Sequence, residues 1–293
     1  MKVTVLQENL ARGLSVVSRA VSSRSTLPVL ANILVATDEG RLRLSATNLE
    51  LGITCWIGAK IEEEGSTTVP ARTFSDLVST FSDKNVDMNL NVRTQSLNLR
   101  CGQSVTDLKC IDAQEFPPMP AAELSQGLRI NVVDLKEMIH QVVFAASADD
   151  ARPILTGVLV HVVDNMITMA AADGFRLSVR KAHLSSPVQH AIRAVIPGNA
   201  LRELARIAAD GDQVVSMILP PGRGQVVFRL KDAELVSQLI EGNFPDFEQI
   251  IPKRCDTRAV LSTPAFLKAC KQAEIFAREG SLKIGRASCR ERV

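Results

Sequence analysis

Tyrosine is absent from the 293-residue chain, tryptophan occurs once, and aromatic residues make up only 4% of it. Its cores must therefore be aliphatic, built from leucine, valine, isoleucine and alanine. A bias toward one charge is also lacking. The net charge is +2, so no whole-chain basic excess advertises nucleic acid, and any electrostatic function depends on where the charges sit. The six cysteines show no Cys-x-x-Cys and no paired spacing, which makes a reduced, cytoplasmic setting the simplest reading. No apolar run approaches the length of a membrane span, and MKVTVLQENLARGL has no apolar stretch of the secretory type. His140, His161, His183 and His190 form no His-Glu-x-x-His and no ligand pair, so no metal is expected. Pro221-Gly222-Arg223-Gly224-Gln225 lies between strands and reads as a hairpin loop rather than a phosphate cradle. Asp149-Asp150 and Glu62-Glu63-Glu64 read as solvated acids. No nucleophile–base set is visible, so an enzyme is disfavoured and no cofactor is expected.

What is present is a repeat. TLPVLANILVATD at 26–38 returns as ARPILTGVLVHVV at 151–163. Val69-Pro70-Ala71-Arg72 returns as Ile196-Pro197-Gly198-Asn199, and Glu115-Phe116-Pro117 as Asn243-Phe244-Pro245. The offset is about 125–128 residues, a domain-sized period rather than the ~20–50 of a solenoid. A third copy opens near Ala259, and the sequence contains only its first elements.

Both full repeats predict the same order of elements. In the first, Val3-Thr4-Val5 is a strand and 7–21 a helix with Leu10, Leu14, Val17 and Val21 on one stripe. Strands follow at 29–36, 41–46 and 50–57, then a helix at 72–82 and strands at 86–92, 95–101 and 104–111. The second repeat gives a helix at 133–147, strands at 155–163, 166–171 and 175–182, a helix at 198–209, and strands at 213–219, 225–230 and 233–240. A strand at 258–262 and a helix at 264–277, opened by Pro264, begin the third. Two helices against antiparallel sheet in each repeat make an α+β fold.

The helices carry the candidate chemistry. Arg12 and Arg19 share a polar stripe, as do Arg202 and Arg206, and Lys268 and Lys271 lie together on the last helix. Lys136 sits beside Glu137 on the first helix of the second repeat, Arg72 opens the second helix, and Arg24 lies in the loop after the first. Amphipathic helices need a polar face in any case, but modest positive charge repeated on one face suits sequence-independent contact with phosphates.

Taken in order, RSTLPVLANILV, TTVPAR, EFPPMP, ADGFRLSV and EGNFPDFEQIIP resemble the bacterial sliding clamp family, the β subunit of DNA polymerase III, over residues 1 to about 280. The resemblance implies tandem repeats of the DNA-clamp fold, with clamp domains at 1–122 and 127–251 and a fragment of a third at 256–282. It implies a head-to-tail ring of two full-length chains around duplex DNA, helices lining the hole, and clamp loader and polymerase peptides as partners, with no catalysis, cofactor or membrane. On this resemblance Arg12, Arg19, Arg24, Arg72, Lys136, Arg202, Arg206, Lys268 and Lys271 face the DNA. A partner-peptide pocket maps to Arg152, Leu155, Gly174, Phe175, Arg176, Leu177, Pro245, Gln249 and Ile250. The interface between chains maps to Val105 and Leu108 on one side and Ile275 and Phe276 on the other.

Residues 284–293, IGRASCRERV, are what ATC-GGA-AGA-GCG-TCG-TGT-AGG-GAA-AGA-GTG encodes, a string resembling a short-read sequencing adapter. Residues 283–293 are accordingly expected to be a non-native tail, and the chain to lack most of its third domain and not to close the two-chain ring. A peptide-binding module that never encircles DNA is the alternative function.

Overall fold

The computed structural model describes residues 1–22, 26–82, 84–119, 127–208 and 213–277. Two units emerge, Met1–Pro245 and Asp246–Val293, and both full repeats lie in the first.

The first repeat runs β1 (Lys2–Leu6), α1 (Gln7–Val17), β2 (Asn32–Asp38), β3 (Arg41–Thr47), β4 (Leu51–Glu63), β5 (Ser66–Pro70), α2 (Ala71–Ser79), β6 (Asn85–Asn91), β7 (Ser96–Cys101) and β8 (Ser104–Lys109). The second runs β9 (Leu128–Asn131), α3 (Val132–Val142), α4 (Pro153–Thr156), β10 (Gly157–Val163), β11 (Met166–Ala172), β12 (Leu177–His183), β13 (Ile192–Pro197), α5 (Gly198–Ile207), β14 (Val214–Ile218), β15 (Gln225–Arg229) and β16 (Ala233–Gln238). Apart from the four-residue turn α4, each repeat holds two helices and eight strands, the α+β fold expected from the sequence.

The differences from expectation have local causes. α1 and α3 each stop after 11 residues and tighten into a three-residue 3₁₀ turn, so both are shorter than the stripe suggests. Pro28 and Pro153 each open a helical turn, because a fixed φ and a missing N–H suit a first turn. The strands expected from 29 and 155 therefore begin at Asn32 and Gly157. β5 and β13 were not foreseen as strands. β5 pairs antiparallel with β2 and β13 with β10, and each ends at a proline that leads into a helix. The strand expected at 258–262 does not form, having no ladder partner among the described residues, while α6 (Thr263–Ala277) forms as expected.

α1 packs on β3 and β4 through Leu10, Gly13, Leu14 and Val17. A Cβ at Gly13 would lie 2.8 Å from the Leu44 side chain and 3.1 Å from that of Ile57, so glycine permits the close approach.

β4 holds the two repeats together. Its 13 residues outrun its own sheet: Ala59, Lys60, Ile61 and Glu63 pair with β1, and Leu51–Cys55 pair with Ser237–Ala233 of β16. One sheet therefore runs β8-β7-β6-β1-β4-β16-β15-β14-β9, with β5, β2 and β3 branching from β4. A second sheet runs β12-β11-β10-β13. Trp56, the one tryptophan, stands at the junction. Its backbone N–H donates to the Asp232 carbonyl at 2.9 Å and its indole to Asp38 at 2.8 Å, while Arg41 stacks on its ring and reaches the Asp232 carboxylate at 3.5 Å.

The repeat extends to one turn. Asn48 Oδ1 accepts from the N–H groups of Glu50 and Leu51, and Asp173 Oδ1 accepts from those of Phe175 and Arg176. The residue after each acceptor is left-handed: Gly174 at φ +90° and Leu49 at φ +78°. Glycine enters this region freely, whereas leucine is strained there. Leu49→Gly is expected to leave stability unchanged or raise it by up to about 1 kcal/mol, and Gly174→Ala to lower it by about 1–2 kcal/mol. Urea denaturation of the two variants measures both.

Candidate nucleic-acid interface and peptide site

The helices of the first unit pair within each repeat. α1 lies beside α2, with Ser18 and Ser75 hydroxyls 3.3 Å apart, and α3 lies beside α5. α1 packs on β4 and α5 on β16, the two strands of the junction. Arg19 Nη1, just past α1, donates to Glu203 Oε2 on α5 at 3.2 Å. This contact links the α2–α1 pair of the first repeat to the α5–α3 pair of the second.

The nine basic candidates separate on this surface. Arg12, Arg72 and Arg202 are exposed. Arg12 reaches only the Asn9 amide at 3.3 Å, Arg72 has a loose 3.8 Å contact to Asp76, and Arg202 makes no ion pair among the described residues. Arg19 and Arg206 are both tied to Glu203, the second at 2.7 Å. Lys136 donates to the Ala208 carbonyl at 2.9 Å, where the C-terminal end of α5 favours a cation. These three side chains are each engaged within the protein. Arg24 lies outside the described residues. Lys268 and Lys271 are exposed on α6, in the second unit.

Glu203 was not foreseen. It is 8% exposed and its two oxygens serve two arginines of different elements. Its spacing to Arg206 was readable, but its link to Arg19, 184 positions away, was not.

The peptide-site candidates divide as well. Arg152 brings a guanidinium nitrogen 3.6 Å from where a Cβ of Gly174 would stand. Arg176 is held by Asp173 at 2.8 Å and lies 5.8 Å over the ring of Phe144, which is 57% exposed and was not foreseen. Leu177 is half-buried, Pro245 exposed, and Phe175 98% exposed. Leu155 is buried. Ile154, also unforeseen, packs near Gly242 on the segment leading to Pro245. Gln249 and Ile250 belong to the second unit, where the Gln249 amide donates to Asp246 at 2.8 Å and Ile250 is exposed.

The interface candidates show one clear correction. On β8, Val105 faces solvent but Leu108 is buried in the core, because the pleat sends residues three apart to opposite faces. In the second unit Ile275 and Phe276 are both exposed.

Comparison with known proteins gives a consistent result. Residues 1–120 match the family described as DNA polymerase III beta subunit, N-terminal domain, and residues 129–246 match its central domain. The beta sliding clamp of Bacillus subtilis is 34% identical over 99% of this chain and 78% of its own length. That of Synechococcus elongatus is 34% identical over 94% of this chain and 74% of its own. Among solved structures, the Bacillus subtilis DNA polymerase sliding clamp superposes with a TM-score of 0.91 at 32% identity, covering 96% of this chain and 75% of that one. A Pseudomonas aeruginosa sliding clamp bound to griselimycin gives 0.87 at 28% identity, covering 94% and 74%. The chain thus spans about three quarters of the length of these relatives.

Two expectations follow from the site geometry. Glu203→Gln removes the shared charge and is expected to lower stability by about 1–2 kcal/mol, a figure held down by the partial exposure of both arginines. Guanidinium denaturation checks it. The Asp173 carboxyl is held below the usual carboxylate range, first by the Phe175 N–H and then by the Arg176 backbone and side chain. Its contribution is present above the ordinary Asp pKa and lost as pH falls through the lowered value. A carboxyl carbon NMR titration should place the Asp173 midpoint below that of an unperturbed aspartate. Asp173→Asn should abolish that pH dependence and keep the turn, as Asn48 does in the first repeat.

Proposed function

The chain belongs to the bacterial DNA polymerase III beta subunit family, the beta sliding clamps, and from that premise we propose how its own residues serve the clamp role. The linked helices contact duplex DNA through phosphates, with Arg12, Arg72 and Arg202 as the main ligands and Arg19, Arg206 and Lys136 as secondary ones. In a full-length assembly two chains encircle the duplex head to tail, and the protein acts as a processivity factor without its own chemistry, in the cytoplasm. Clamp domains at 1–122 and 127–251, a partial third domain at 256–282 and a non-native tail beyond it remain our reading of the chain's organisation. Clamp loader and polymerase peptides dock at Arg152, Gly174–Leu177 and Pro245 of the first unit. No helix among the described residues is long and apolar enough to cross a membrane.

The observation that carries this reading is the set of helices linked across the two repeats by Arg19 and Glu203, on which Arg12, Arg72 and Arg202 are exposed and make no ion pair closer than 3.8 Å among the described residues. Phosphate contact of this kind is weak, independent of sequence and released by salt. Glu203 lowers the charge of these helices further, which favours movement along DNA over fixed binding.

The test measures duplex binding of the full chain across a salt series. Replacing Arg12 and Arg202 by alanine should weaken binding equally for unrelated sequences and reduce the salt slope by about one per arginine. Sequence-specific binding, or binding indifferent to salt, overturns the proposal. Titration of a Gln-x-x-Leu-Phe peptide should move resonances at Arg152, Leu177 and Pro245. Peptide binding together with no salt-dependent DNA contact selects the alternative, a peptide-binding module that does not encircle DNA.

A further inference from the structure

The turn after β3 and the segment that leaves the first repeat enclose a small cavity that neither site above uses. Leu49, Gly52, Met119 and Val236 line it with apolar groups, and Glu50 and Gln238 line it with polar ones. Its volume is about 140 Å³, the size that admits one benzene-sized group. It lies where β4 meets β16, wholly within the first unit.

Glycine makes the space. A Cβ at Gly52 would lie 2.5 Å from the Met119 terminal methyl and 3.7 Å from Thr47 Oγ1, so only a residue without a side chain leaves that methyl where it is. Thr47 pairs with Gly52 and Ala172 with Leu177, an offset of 125, so the same position in the second repeat carries a leucine. Met119 packs on the small cluster of Val29, Leu30 and Phe116 and extends its methyl to Gly52. The cavity thus already receives one unbranched apolar side chain, and that side chain is only half-buried.

Two further features point to a ligand. Leu49 is held at φ +78° and is 53% exposed. Leucine is strained in that conformation, and an apolar side chain half in water adds nothing to folding that offsets the strain. A ligand that covers Leu49 supplies the offset. The Glu50 carboxylate makes no hydrogen bond or ion pair among the described residues, since Asn48 and Gln238 engage only its backbone. An apolar cavity beside an unpaired acid fits an apolar side chain next to a cation. We propose that this cavity is a second peptide subsite, at the junction of the repeats, for a short segment of a partner protein that carries one leucine-sized apolar side chain flanked by lysine or arginine. The corresponding turn of the second repeat has Arg152 and Arg176 beside it, so the two sites select opposite charge. The subsite goes beyond the docking site proposed above and does not depend on it.

Methyl NMR of the full chain tests it with the peptide acetyl-Gly-Lys-Leu-Lys-Gly-amide. Titration should shift the methyls of Met119 and Leu49 saturably and leave those of Leu97 and Leu99, buried in β7, in place. Alanine in place of the peptide leucine should weaken binding about tenfold. Glu50→Gln in the chain should weaken it about two- to fivefold. Met119→Ala enlarges the cavity, so it should move the preference from a leucine to a phenylalanine anchor, a change that lost stability alone does not produce. Unmoved Leu97 and Leu99 methyls show that each variant is folded. Absence of a saturable shift at Met119 and Leu49 overturns the inference. So does equal binding of the alanine peptide, or of one with glutamate in place of both lysines. Shifts confined to Arg152 and Leu177 put the peptide in the second repeat and overturn this inference while leaving the earlier docking proposal intact. Shifts at Met119 and Leu49 with none at Leu177 uphold it alone.

Discussion

The structure depends on one ladder, in which Leu51–Cys55 of β4 pair with Ser237–Ala233 of β16. A strand edge is a row of unsatisfied donors and acceptors, and a fold must pair it, cover it or blunt it. β4 solves the problem by length. Its distal half belongs to the sheet of the first repeat, and its proximal half takes an edge strand from the second. Because α1 rests on β4 and α5 on β16, pairing the strands also brings the helices side by side. The approach of the two helix pairs is therefore a consequence of backbone hydrogen bonding, and the Arg19–Glu203 contact at the seam adjusts it.

Glu203 shows how that seam constrains function. A carboxylate 8% exposed needs cations, and it takes Arg19 from one repeat and Arg206 from its own helix. The same pairing offsets part of the positive charge on the helix surface that we propose for DNA. Two arginines that would each attract phosphate are shared with one acid, and at physiological salt the remaining field decays within about 8 Å. A clamp must hold a duplex without gripping it, so a seam that trades phosphate attraction for rigidity is consistent with the family's role.

Much of this was legible in the sequence. The repeats, both helices of each and most strands follow from spacing alone, because period and turn chemistry are local signals. Proline was ambiguous: at Pro28 and Pro153 it opened helical turns inside segments that otherwise read as strands, and at Pro70 and Pro197 it ended strands that were not foreseen. Contacts between distant residues were not legible. The Arg19–Glu203 bridge spans 184 positions, the stacking of Arg176 on Phe144 joins a strand end to a helix end, and nothing in SVTDLK announces which face its valine and leucine take. The resemblance named Val105 and Leu108 together, but the pleat separates them.

The two repeats also show what a duplicated backbone can change. The Asn48 and Asp173 turns make the same two hydrogen bonds, yet one carries leucine in a left-handed position and the other glycine followed by a fully exposed phenylalanine. At Asn48 the turn abuts β16, and Glu50 accepts a hydrogen bond from Gln238. At Asp173 the corresponding edge is open, and the acid, the arginine and the aromatic ring beside it remain on the surface. The same fold element thus sits against a paired strand in one repeat and, among the described residues, beside an unpaired one in the other. What differs between the copies is what lies on the adjacent strand, not the turn itself.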